Sequence, residues 1–157
     1  MPGKEHRYTL SVIWTGNTGA GTTSYTSYSR DHVISAPGKP DISGSSDPAF
    51  RGDASRHNPE DMLVAAISSC HMLWYLHLAS EAGIVVTAYH DAPVGVMVED
   101  KARGGLFTSV TLKPTVTIAS GSNSARARAV HEDAHAKCFV ANSVNFPVTC
   151  EPTIVGG

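Results

Sequence analysis

The sequence has no basic stripe, no apolar run long enough to cross a membrane and no cysteine pair at C-x-x-C spacing. Each absence excludes something. With a net charge of −2 there is no electrostatic footprint for nucleic acid. The longest apolar stretches are broken by Ser, Cys and His well short of a membrane span. The first residues, Met1 to Arg7, run into a polar–apolar alternation with no apolar signal region, which predicts a cytoplasmic protein. Cysteine is scarce: Cys70, Cys138 and Cys150 are an odd, low number for a secreted disulfide scaffold. The segment Gly16-Asn17-Thr18-Gly19-Ala20-Gly21 lacks both GxGxxG spacing and the lysine of a phosphate loop. No internal repeat is visible. What remains is 157 residues, 41% hydrophobic and 17% charged, which predicts one folded domain over 1–157 with a core of its own.

Alternation at Tyr8, Leu10 and Val12 predicts a strand over 7–14, followed by a turn and a second strand within 22–35. Residues 36–57, with prolines at 37, 40 and 48, read as a long loop. The clearest element begins at Asn58. Asn58 is a good N-cap, Pro59 suits the first helical position, Glu60 and Asp61 complement the positive helix end, and Gly83 stops the run. This helix carries Met62, Leu63, Ile67, Leu73, Trp74 and Leu76, so it is apolar on most faces and should be buried on most faces. One small sheet cannot cover it, which argues for a second copy of the chain. Beyond it, 84–98 and 106–119 read as strands, 125–139 as a second helix and 146–155 as an edge strand bearing Pro147 and Pro152. The order ββ-loop-α-ββ-α-β is an α+β pattern.

The chemistry centres on cysteine. A lone helix cysteine such as Cys70 is most often a small buried hydrophobe. Here Ser68, Ser69 and His71 crowd it, and Cys138 in the second helix also has ionisable neighbours. His131, His135 and Cys138 share one helix face, so a metal site with Cys70 as a further ligand is one reading. A partly exposed face with ordinary histidines is the other, and it is preferred because no short-spaced cysteine pair supports a metal. No cofactor and no metal are therefore assigned. Cys150 carries no role beyond a bland thiol.

The segment from Asn58 to Met72, NPEDMLVAAISSCHM, resembles the OsmC/Ohr family of thiol peroxidases, whose hallmark is an NPE-type helix start with a cysteine ten residues after the glutamate. Ala134-His135-Ala136-Lys137-Cys138 resembles its second hallmark, and the element order agrees over nearly the whole chain. Ser69-Cys70-His71-Met72 and Phe50-Arg51-Gly52-Asp53 look like the OsmC-like branch. The resemblance implies antiparallel sheets wrapped around two central helices in an intertwined homodimer. It implies Cys70 as the peroxidatic cysteine, Cys138 as the resolving one, Glu60 as the catalytic glutamate and a dihydrolipoyl-type dithiol as reductant. The family's arginine is absent from the loop after the first strand, where Thr18 stands; Arg51 takes the role, with Arg30 as the runner-up.

The residue chemistry accords with these roles. Only a thiolate attacks peroxide oxygen, burial alone would raise its pKa, and an always-charged guanidinium held by a carboxylate offsets that. Ten residues put Glu60 about 15 Å from Cys70 along one helix, so a neighbouring subunit should complete each site. An apolar lining of Leu63, Ile67, Trp74 and Phe139 suits an organic hydroperoxide. The alternative expectation is a non-catalytic or weakly active OsmC-like protein that binds a small apolar ligand.

Overall fold

The computed structural model describes residues 3–157, so Met1 and Pro2, where the reading of the N-terminus begins, lie outside the described residues. The chain divides into two compact units, Met1–Met62 and Leu63–Gly157.

In the first unit β1 (Ser11–Trp14), β2 (His32–Ser35) and β3 (Ile42–Gly44) form an antiparallel sheet. Trp14 faces His32 and Ile34 faces Ile42 across the register. The third strand is unexpected: it lies inside the stretch expected to be loop, where Ile42 offers the one apolar residue of Asp41-Ile42-Ser43. The first two strands are also shorter than their alternation suggests, because residues 16–29 form a hydrogen-bonded loop. There Trp14 Nε1 donates to Ser29 O at 2.8 Å, and Asn17 Oδ1 accepts from the amides of Gly19 and Gly21.

The long helix α1 (Pro59–Glu81) starts at the end of this unit and continues through the second. Asn58 caps it as expected, its Oδ1 accepting from Asp61 N at 2.8 Å. At the far end Gly83 takes φ 71°, Ile84 N donates to Ala79 O and Gly83 N to Ser80 O. These are the two bonds of a Schellman stop, and the left-handed residue is the glycine.

In the second unit two three-stranded sheets pack on the helices. One has the order β4 (Val86–Asp91), β7 (Pro114–Ile118), β9 (Thr153–Gly156); the other β5 (Val94–Val98), β6 (Leu106–Leu112), β8 (Val148–Cys150). The β4–β7 and β5–β6 pairs are antiparallel, while β8 and β9 add in parallel at the edges. Each of the three expected long strands is thus split between two sheets. Pro147 and Pro152 fall just outside β8 and β9, where a missing N–H breaks no ladder. Gly95 lets β5 approach α1: a Cβ there would stand 2.6 Å from Val64 Cγ2.

The second helix, α2 (Ser124–Lys137), is capped by Asn123, whose Oδ1 accepts from Arg126 N at 2.9 Å. One core gathers Tyr75, Ala79, Val116, Ile118, Ala127 and Val130; another Ile67, Val110 and Leu112. The longest helix is not covered as its composition demands. Only Ile67, His71, Tyr75 and Ala79 are buried on it, a stripe at spacing four, while Leu73 remains 62% exposed.

Candidate active site

Cys70 sits midway along α1, half-buried, three residues after the core residue Ile67. Cys138 is not inside α2 but is its C-cap, with extended backbone at ψ 107°, and it is fully buried. Helix geometry alone therefore did not place it on a stripe with His131 and His135. Leaving the helix turns Cys138 inward, whereas His135 on the last turn stays exposed. The two thiols are neighbours from separate elements, both free. Burial pushes the Cys138 thiol up to about 11, against the Ala141 N–H, which donates to its sulfur at 3.5 Å. At neutral pH Cys138 is a protonated thiol beside Cys70.

The surroundings are apolar with one cation. Trp74, one turn beyond Cys70, meets Phe139 edge-on with ring centroids 5.5 Å apart, and the Lys137 ammonium lies 5.6 Å from the Trp74 ring. Leu73, Trp74 and His77 line a shallow apolar groove on the same side of α1. Leu63 and Val140 pack on the Ile67 core below. On the polar side Ser68 Oγ donates to Asp91 Oδ2 at 2.5 Å, and Asp91 Oδ1 accepts from Lys113 N at 2.7 Å. These bonds fix the end of β4 against α1.

The charged candidates belong to the other unit. Glu60 is half-buried in the first turn of α1. Arg51 caps a short 3₁₀ turn, Pro48–Phe50, with φ 64°, and its side chain is exposed. It is the described non-glycine residue with positive φ. Arg30, the runner-up, is committed locally: it donates to the carbonyls of Tyr28 and Tyr25 at 2.7 and 2.6 Å and lies over both rings. Arg56 is engaged with Asp31 and Asp53 at 3.5 and 3.7 Å.

A second cluster was missed in the sequence. His71 Nε2 and His131 Nδ1 lie 3.0 Å apart, and Cys150 Sγ is 3.8 Å from each. Both histidines are buried, 1% and 3% exposed, and His131 stacks on Tyr75 at 4.0 Å. Its members come from α1, α2 and β8, so no local spacing signals it. The grouping of Cys70, His135 and Cys138 considered for a metal is not what assembles; among the described residues the three-residue set of close ligand atoms is His71, His131 and Cys150.

Comparison with known proteins bears on this geometry. No curated protein sequence matches. Among solved structures, an OsmC-like protein of unknown function from Vibrio cholerae superposes with a TM-score of 0.86 at 30% identity, covering 94% of this chain and 99% of that one. An organic hydroperoxide resistance protein from Legionella pneumophila gives 0.70 at 15% identity, covering 98% and 99%. One from Elizabethkingia anophelis gives 0.68 at 17%, covering 98% and 100%. Residues 52–153 match the family described as OsmC-like protein. That span contains both helices, both thiols and Glu60, and with the fold it settles descent: this chain belongs to the OsmC/Ohr family.

Proposed function

We propose that the protein is a thiol peroxidase that reduces organic hydroperoxides to alcohols, with Cys70 attacking and Cys138 resolving. The observation that carries this reading is that two free thiols from separate elements, Cys70 midway along α1 and Cys138 at the buried C-cap of α2, are neighbours. Cys70 thiolate attacks the distal peroxide oxygen; the O–O bond breaks, the alkoxide takes a proton and leaves as alcohol, and sulfur becomes sulfenic acid. The Cys138 thiol then attacks that sulfur, expelling water and forming a disulfide. An external dithiol, of the lipoyl type, reduces it in two exchange steps and becomes a cyclic disulfide. The chemistry suits a reducing compartment, the cytoplasm. Cys138 is protonated at rest, and its proton leaves with the sulfenic hydroxyl as water when the disulfide forms.

In this reading Arg51 stabilises the Cys70 thiolate and Glu60 holds the guanidinium, delivered by the second subunit of a homodimer. Three features support the dimer: Leu73 of α1 at 62% exposure, Phe139 at 70%, and β1, whose four residues are all exposed. The apolar groove at Leu73 and Trp74 favours an alkyl or aryl hydroperoxide over hydrogen peroxide.

The test treats the reduced protein with cumene hydroperoxide, counts thiols and maps peptides. A loss of two thiols per chain with a Cys70–Cys138 disulfide and one molecule of alcohol per chain is expected. Cys70→Ser should consume no peroxide, and Cys138→Ser should accumulate a sulfenic acid that dimedone traps. Unchanged thiols in a folded protein would sink the proposal and favour a non-catalytic ligand-binding role.

A further inference from the structure

The cluster of His71, His131 and Cys150 is independent of the thiol pair. We propose that these three side chains form a binding site for a borderline-soft transition-metal ion, Zn²⁺ in particular, with a fourth position open to solvent.

The geometry is the first argument. Metal–nitrogen bonds of about 2.0–2.1 Å and a metal–sulfur bond of about 2.3 Å at tetrahedral angles separate ligand nitrogens by about 3.4 Å and nitrogen from sulfur by about 3.6 Å. His71 Nε2 and His131 Nδ1 are 3.0 Å apart, and Cys150 Sγ is 3.8 Å from both. The three donor atoms already stand within a few tenths of an ångström of a first coordination shell. The imidazole planes are nearly parallel, 4° apart.

The second argument is what the cluster is left with when empty. A single N–H···N bond joins the two rings, and the outer nitrogens, His71 Nδ1 and His131 Nε2, are buried without a partner. Two neutral histidines and a thiol are then held together beside a carboxylate, Asp91. Zn²⁺ supplies the positive charge this arrangement lacks. A neutral imidazole offers one ring nitrogen with a lone pair to a metal.

Access is the third. His131 and Cys150 line a cleft of about 500 Å³ together with Arg128, Glu132, His135 and Thr149. An ion enters from that side, and water or a small anion near Arg128 completes the shell. Because the outer nitrogens lack carboxylate or carbonyl partners, the site should exchange its ion and not hold it permanently.

Loading balances as Zn²⁺ plus Cys150–SH giving the zinc thiolate and one proton. One histidine also moves its proton from the inner to the outer nitrogen, with no net release. No electron is transferred.

The test uses the full chain, reduced, stripped with chelator and freed of it. Zn²⁺ alone is titrated against a chromophoric chelator, and Co²⁺ alone is followed by absorption. One ion per chain, one proton released per Zn²⁺ and a thiolate-to-cobalt charge-transfer band are expected. Cys150→Ser should abolish the band and weaken Zn²⁺ binding by more than the ~10–100-fold that loss of an outer-shell partner costs. The Cys70→Ser/Cys138→Ser double variant should keep both. Should Cys150→Ser misfold, the native chain still decides: Zn²⁺ should protect Cys150 from iodoacetamide and leave Cys70 reactive. Absence of stoichiometric binding, an unaltered alkylation rate at Cys150, or loss of the ion in the double variant would overturn the site.

Discussion

Two buried histidines 3.0 Å apart make the metal-free protein sensitive to acid. Burial lowers His71 to about 4, aided by the nearby His135 and opposed by Asp91. Burial lowers His131 to about 3, aided by His71 and Arg128, with Cys150 and the Tyr75 ring on its other sides. Both folded values lie below the unfolded value of 6.5, so the unfolded chain binds more protons as pH falls. Stability is lost as pH falls below about 6.5, down to about 4 for His71 and about 3 for His131, by up to about 1.4 kcal/mol per histidine per pH unit. Urea denaturation of the chelator-treated protein at pH 7.5 and pH 5 checks this; equal midpoints would contradict it. A second prediction concerns Tyr75, whose buried hydroxyl donates to Ala127 O at 3.0 Å. Tyr75→Phe should cost about 1 kcal/mol, read from the same denaturation curves. The sequence shows Cys70 and Cys138 through local motifs, one within α1 and one at the end of α2. It hides Cys150, because His71 stands 79 residues from Cys150 and 60 from His131, and only the fold brings them together.

At the scale of elements, local chemistry was legible wherever a side chain speaks to its own backbone. Asn58, Pro59 and Gly83 mark α1 to within a residue or two, and a polar run at Ser122-Asn123-Ser124 marks the start of α2. Asn123→Ala should therefore destabilise the protein by about 1 kcal/mol, while Asn123→Asp should be nearly neutral, measured by thermal unfolding. Strand division was not legible. Ala92-Pro93 and the single residue Lys113 each suffice to send a continuous β-rich stretch from one sheet to the other, since β4 and β7 pair in one sheet and β5 and β6 in the next. So short a break leaves no glycine-rich turn to find. The parallel addition of β8 and β9 is set by distant partners, Val110 to Leu112 and Thr115 to Ile118, which no property of residues 148–156 announces. The same partnership positions Cys150, which pairs with Leu112 at the end of β8.

The whole molecule poses a question of surface. Contrary to the expectation that Ser, Cys and His break its apolar run too early, α1 is long and apolar enough to cross a membrane by length and composition, yet Ile67, Tyr75 and Ala79 pack it into two cores. The described residues leave large apolar side chains open on several elements: Leu73 of α1 at 62%, Phe139 at 70% and the strand residues Val94, Val96 and Val98 near 45%. Water in contact with that much apolar area costs about 25 cal/mol per Å², so covering it by a second copy is favourable before any polar contact forms. Sedimentation equilibrium should accordingly return twice the chain mass of 16.5 kDa. Leu73→Glu, a change at a side chain 62% exposed and outside both cores, should shift the protein toward monomer. If Arg51 and Glu60 serve the thiol of the other subunit, the same substitution should lower peroxide turnover in step with the dimer fraction, and raising protein concentration should restore both. A Leu73→Glu monomer with full turnover would place every catalytic group within one chain.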